Sequence, residues 1–311
     1  MAPYKKFDAV LPLLMKDYGR FEILDKSIKK HLRDINVCWV IATDREYGEI
    51  HRKIENDMYR VIPESILLPE LEFYKRISRL LYRPIFRRTS VCVNRRFNII
   101  GWYVQQLVKL AMAEKVGTEF YLTLDADVVC LRKVGYEDLI QNGKAITNTT
   151  DEDHHPDWYE NAKRVLHLPR SGITHGVTPA VFHREAVIAL QGFLAKKVHP
   201  FLRFISNLSI NIPKFENIFS SWSSYLMRNT PWTEYSLYYT FLEAMDLFDK
   251  YHIRKGNDAI YDMCSSLWLK EQINTWEIEN KFKRNSYFLI IQSNTGYPVD
   301  EIWEKLRNYL E

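Results

Sequence analysis

Phe7 to Leu14 is an apolar run interrupted only by Asp8 and Pro12, which predicts a short strand buried in a sheet. Tyr18 to Leu32 then carries Phe21, Leu24, Ile28 and Leu32 at helical spacing. Val37 to Ala42 is wholly apolar and β-rich, and it ends at Thr43 and Asp44. A strand, a helix and a second buried strand predict the start of an α/β sheet covered on both faces.

Farther on, Val104, Leu107, Val108 and Ala111 form the buried stripe of a helix from Trp102 to Glu114, with Gly117 closing its end. A strand from Phe120 to Leu124 follows directly and runs into Asp125, Ala126 and Asp127, then the apolar stretch Val128 to Leu131. The polar segment Asp151 to Trp158 reads as a surface loop, and Ser171 to Phe182 as extended chain before helical signal resumes at Arg184. Residues from about 190 to 230 turn aromatic and basic without strand alternation, which predicts a helical insertion. Thr230 and Pro231 supply a cap and first-turn proline for a helix from Trp232 to Lys250. A strand from Tyr287 to Ile291 and a helix from Val299 to Leu310 end the sequence. No repeat or low-complexity tract interrupts this order, so residues 1–311 are expected to form one elaborated domain.

Composition narrows the class. The chain is 46% hydrophobic and 14% aromatic with few glycines, a folded composition without a disordered tail. Its net charge of +4 does not call for nucleic acid as a partner. Between Lys75 and Arg96, however, eight basic residues occur with no acid among them, a pattern that suits a solvated helix face, an acidic glycan or peripheral contact with a membrane surface. Cys38, Cys92, Cys130 and Cys264 form no CxxC pair and read as reduced structural thiols. The longest apolar runs are too short to span a bilayer, so a cytoplasmic location is the default expectation.

The chemistry concentrates at Asp125 and Asp127. Two carboxylates one residue apart, where an apolar strand leaves the sheet, can turn toward one hard cation, and Mg²⁺ or Mn²⁺ is commonly held by one or two carboxylates together with substrate phosphates. Carboxyl ends of strands are also where ligands sit in open α/β sheets. Such a cation neutralises a departing diphosphate, which is what glycosyl transfer from a nucleotide sugar requires.

The stretch Gly101 to Lys133, with Gly101, Trp102, Gln105, Gln106, Lys109 and Leu110 leading to Leu124, Asp125, Ala126 and Asp127, resembles the donor-binding half of GT-A glycosyltransferases. Trp232 to Tyr235 is similar to a helix start in a group of lightly characterised sugar transferases of bacteria and large algal viruses. The resemblance implies a Rossmann-like, mixed and mainly parallel sheet with helices on both faces. It implies a donor half at residues 1–135 and an acceptor half at 136–311, a UDP-sugar donor and a glycan acceptor. In that setting Glu234, in the first turn of its helix, is the candidate general base of an inverting transfer of a hexose or pentose; its other reading is an acid that complements the helix dipole. Asp258 and Asp262 are the substitutes, ahead of Asp151 and Asp153.

Arg95, Arg96 and Lys109 are candidates to meet the diphosphate, and Asp44 and the backbone near Pro12 to meet the nucleoside. Gln105 and Gln106 are expected either to touch the donor or to cap a neighbouring segment. His175 lines the sugar pocket or is a satisfied core histidine, His154 and His155 read as solvated, and Trp232 is the aromatic expected in the pocket wall. Many GT-A enzymes supply a late histidine to the metal, yet no histidine follows His252 here; Gln292, Ser293, Asn294 or water is left to complete the shell. A sugar-1-phosphate nucleotidyltransferase is the alternative enzyme, but Tyr4 to Arg20 holds no glycine-rich phosphate loop. A glycan- or nucleic-acid-binding module is the alternative without catalysis, and it would bind independently of Mn²⁺.

Overall fold

The computed structural model describes residues 5–54, 56–82, 99, 101–202, 218–256, 258–261, 266–276 and 285–311. Eleven strands are formed among these residues: β1 (Phe7–Leu13), β2 (Ile35–Ala42), β3 (Tyr59–Pro63), β4 (Phe120–Thr123), β5 (Val128–Cys130), β6 (Ile140–Gln141), β7 (Lys144–Thr150), β8 (Thr174–His175), β9 (Ala180–His183), β10 (His252–Lys255) and β11 (Phe288–Ile290). The central sheet runs β3-β2-β1-β4-β9. Its first three pairings are parallel, and β9 closes the edge antiparallel to β4. This is a mixed α/β fold with a mainly parallel sheet, as the strand pattern predicts.

Alternation along the strands explains why both faces are covered. Val10, Tyr121 and Phe182 point into one apolar cluster, shared with the helices Gly101–Ala111, Arg184–Lys196 and Glu234–Ala244. Their strand neighbours Ala9, Leu11, Leu122 and Val181 point into the other, shared with the helix Tyr18–His31. Asp8 is the exception in β1, fully buried yet satisfied: its carboxylate accepts from Asn36, from the Trp39 indole and from the Gly117 N–H.

Two smaller sheets flank the first. β7 pairs in parallel with β10 and antiparallel with β6 and β8, while β5 and β11 form an antiparallel pair. β10 is absent from the sequence-based reading, because its run His252-Ile-Arg-Lys lacks apolar alternation. The helix expected to reach Lys250 ends at Ala244, and Asp246 takes a left-handed conformation just beyond. Its N-cap is Thr233, not Thr230: Thr233 Oγ1 accepts from Ser236 N–H at 3.1 Å, and Glu234 opens the helix. The expected loop Asp151 to Trp158 is half right, since a helix already begins at Pro156 and runs to Leu166.

Of the proposed insertion, residues 203–217 lie outside the described residues; its described flanks are helical at Arg184–Lys196 and Trp222–Arg228. Arg95, Arg96, Cys92, Cys264 and Asp262 also lie outside the described residues. The basic face is less bare than its sequence implies where it is described. Arg76 and Arg79 both bind Glu72, at 3.1 and 2.7 Å, and Lys75 pairs with Glu64. Cys38 and Cys130 are free thiols in the core. Among the described residues no helix is long and apolar enough to cross a membrane.

Candidate active site

β4 ends at Thr123, and Leu124 N–H still bonds to Val10 O at 2.8 Å, so the chain leaves the sheet only at Asp125. A turn closed by Val128 N–H on Asp125 O then leads into β5. Asp125, Ala126 and Asp127 occupy that turn at the carboxyl edge of the parallel strands, and all three line a cavity of about 600 Å³. Pro12 at the end of β1 lines it too, as do Gln105, Gln106 and Lys109 of the Gly101–Ala111 helix, His175 of β8, and Glu234. The fold therefore gathers these nine sequence-nominated residues around one space, with Gln292, Ser293 and Asn294 of the nominated metal shell.

Lys109 sits at the centre of the polar contacts. Its side chain is 3% exposed, and the ammonium lies 2.8 Å from Asp125 Oδ1, 3.1 Å from Glu234 Oε1 and 3.2 Å from the Tyr235 hydroxyl. Burial alone would lower the pKa of this ammonium, but Asp125 above all, then Tyr235 and Glu234, hold it well above the usual lysine value. Burial raises the pKa of Glu234, and Lys109 offsets part of that rise. Lys109 is thus a buried counter-ion to two carboxylates at the cavity wall.

Asp127 is held from the other side. Ser293 N–H donates to its Oδ2 at 2.9 Å, and Ile291 N–H donates to its backbone carbonyl at 2.9 Å. Its carboxyl is pushed up to about 6, by burial first and by the Asp125 charge second. Arg20, which the sequence reading passed over, fixes that segment: its guanidinium donates to Ile291 O at 2.9 Å and to Tyr297 O at 2.8 Å. Arg20 stands four residues before Leu24, on the buried stripe of its helix, and that placement is the signal that a charge is taken inside.

Gln106 resolves toward capping. It is 2% exposed, and its Oε1 accepts the Glu234 N–H at 3.0 Å, which fixes the first turn that carries Glu234. His175 is a core histidine at the cavity edge, stacked on Tyr239 at 4.5 Å with Nε2 held by Glu243 at 2.9 Å. Arg254 Nη2 in turn donates to both carboxylate oxygens of Glu243. Behind this wall Asn148 bonds Ile260 N–H and Tyr261 O, while Gly176 N–H bonds Asn148 O. A Cβ on Gly176 would fall 2.9 Å from that of Asn148, so only glycine allows this approach.

Three nominations fall elsewhere. Trp232 is 1% exposed, with its indole donating to Leu226 O at 2.9 Å and its ring against Tyr103; it is core, and Trp102, Trp158 and Trp268 line the cavity instead. Asp44 accepts from Ser65 and does not line the cavity. Asp258 does not line it either. His155, read as solvated, is partly covered and stacks on Trp158 with 4.0 Å between centroids.

The donor set can be tested against a divalent cation. The charged side chains lining the cavity are Asp17, Asp125, Asp127 and Glu234 against Arg20 and Lys109, an excess of two negative charges when all are ionised. Hard carboxylate oxygens with that excess suit Mg²⁺ or Mn²⁺. Among the described residues no group of three or more His, Cys, Asp or Glu could hold a metal, so any cation here would draw most of its positions from ligand and water.

A family model matches residues 4–311. The chain belongs to DUF6492, a family of unknown function. No curated protein matches this DUF6492 chain. Among solved structures it is similar to apo mouse xyloside xylosyltransferase 1, at 10% identity and a TM-score of 0.42, over 93% of this chain and 99% of that one. It is also similar to the apo glycosyltransferase GlyE of Streptococcus pneumoniae TIGR4, at 10% identity and a TM-score of 0.43, over 98% of this chain and 62% of GlyE. Residue roles do not transfer at that level of likeness.

Proposed function

We propose that this DUF6492 chain is a metal-dependent glycosyltransferase that moves a hexose or pentose from a UDP-sugar to a glycan acceptor with inversion. The observation that carries the reading is electrostatic. A cavity at the carboxyl edge of a parallel sheet, the usual place for a nucleotide, is walled by two more negative than positive charges, two of the carboxylates being Asp125 and Asp127. A diphosphate could enter such a cavity only with a cation between it and the wall.

Asp125 and Asp127 would hold Mn²⁺ or Mg²⁺, which when bound supplies Lewis-acid stabilisation to the leaving diphosphate. The chain's own residues do the rest. Lys109 lies against Asp125 and Glu234 as their buried counter-ion, Ser293 N–H and Arg20 fix the Asp127 side, and Gln106 fixes Glu234. In the transfer, the acceptor oxygen bonds to the anomeric carbon as the bond from that carbon to the phosphate oxygen breaks, its electron pair leaving with the nucleoside diphosphate. Glu234 takes the acceptor's proton. A transfer assay tests this assignment: Glu234→Gln is expected to bind donor normally and to lose about 10²–10⁴-fold in transfer rate. Transfer by Glu234→Gln at the wild-type rate would assign the base elsewhere.

A further inference from the structure

The charged groups of the cavity are carried by the Tyr18–His31 helix, its leading turn, the Gly101–Ala111 helix, the turn after β4 and Glu234. The aromatic lining has a different chemistry. There Trp158 stacks on His155 and stands 6.3 Å from Trp102, whose ring is at 49° to it; Trp102 is 38% exposed, and Trp268 lines the same cavity. Exposed aromatic rings at a cavity wall are a cost unless a ligand covers them.

The wall between these rings also carries unmet polar demand. Thr174 Oγ1, His175 Nδ1 and Thr178 Oγ1 are buried without a hydrogen-bond partner, three such atoms within five consecutive residues. Buried polar atoms normally find partners, and a cluster of exceptions on a cavity wall points to a ligand that brings hydroxyl groups. Directly after the lining residue Thr150, Asp151, Glu152 and Asp153 are exposed, Asp153 being paired with Arg170. That arrangement disfavours polyanions such as nucleic acid, sulfated glycans or phospholipid headgroups.

We infer that the Trp102–His155–Trp158 corner and the Thr174–Thr178 segment form the acceptor subsite and that it takes an uncharged pyranose. A pyranose presents an apolar C–H face to an aromatic plane and hydroxyls around its rim, which is the pairing that this wall offers. The inference rests on the transferase reading and specifies its acceptor. Trp158, carried by a different helix from Lys109, then sets acceptor affinity.

The experiment uses the full chain, UDP-glucose, UDP-galactose and UDP-xylose as donors with Mn²⁺, and as acceptors the methyl pyranosides of glucose, galactose and N-acetylglucosamine, with heparin disaccharide as the anionic probe. Transfer to a neutral glycoside is expected. Trp158→Ala should raise the acceptor KM at least about tenfold while the donor KM moves by less than about twofold. Trp158→Phe, which keeps an aromatic face and guards against a folding artefact, should restore the acceptor KM to within about threefold of wild type. An unchanged acceptor KM in Trp158→Ala, preference for the heparin disaccharide, or donor cleavage without transfer to any neutral glycoside overturns the subsite while leaving a transferase in place. A wild type that consumes no UDP-sugar at all removes the transferase reading, and the subsite with it.

Discussion

Lys109→Met is the most informative single perturbation of the buried charges. It removes an ammonium in contact with Asp125, Glu234 and the Tyr235 hydroxyl and replaces it with an apolar chain of similar length. Glu234 is 4% exposed at its side chain and loses the cation that compensates it, so the cost is that of an uncompensated buried charge, about 3–5 kcal/mol. At about 2–4 °C per kcal/mol for a domain of 150–250 residues, and somewhat less for a longer chain, the melting temperature should fall by about 6–15 °C at pH 7.5. The sign of the pH dependence follows from the carboxylates. Without Lys109, nothing offsets the burial that raises the Glu234 pKa, so the folded state holds more protons than the unfolded state through that interval. The variant's deficit should therefore be small below about pH 4 and open as the pH rises. Thermal melts from pH 4 to 7.5 in metal-free buffer, compared with wild type, test this. A deficit under about 1 kcal/mol, or one that does not grow with pH, would refute the claim that Lys109 holds the two carboxylates.

Asp127→Asn should behave in the opposite sense in metal-free buffer. The Asp127 carboxyl titrates at about 6 in the folded chain, so wild type loses up to about 3 kcal/mol relative to the variant as the pH rises from about 4 to about 6. The buried histidines are common to both proteins and cancel in the comparison; urea melts at pH 4.5 and 7.5 measure the difference, and Mn²⁺ at pH 7.5 should stabilise wild type alone. Gly176→Ala forces a methyl to 2.9 Å from Asn148 Cβ and should cost about 1–3 kcal/mol by urea melt; a neutral substitution would show that the wall yields freely.

Much of the frame is legible in the sequence because its strands are apolar runs that a doubly covered sheet demands. β1, β2 and β4 and the helix after Gly101 fall where periodicity puts them, and the turn with Asp125 and Asp127 lies at the strand end that the pattern marks. What escapes has a tertiary cause. β10 is polar because its side chains serve a network, with His252 bonded to Thr147 and Tyr238. Lys109 reads as a candidate to meet a diphosphate, and its ion pair appears only when Glu234, 125 residues away, is brought beside it. Trp232 looks like a pocket residue because it neighbours Glu234, but the Thr233 cap turns the chain and sends its indole to Leu226 O. Trp158, hidden in what reads as a loop, takes the place at the cavity that Trp232 was expected to fill.

Calorimetric titration of UDP into the protein, with and without Mn²⁺, addresses the central claim most directly. Wild type should bind UDP at least about tenfold more tightly with Mn²⁺ than without it, and Asp125→Ala and Asp127→Ala should each lose that difference. Equal affinity with and without the metal in wild type, or a metal effect that survives in both variants, would contradict a dication held between these two aspartates and a diphosphate.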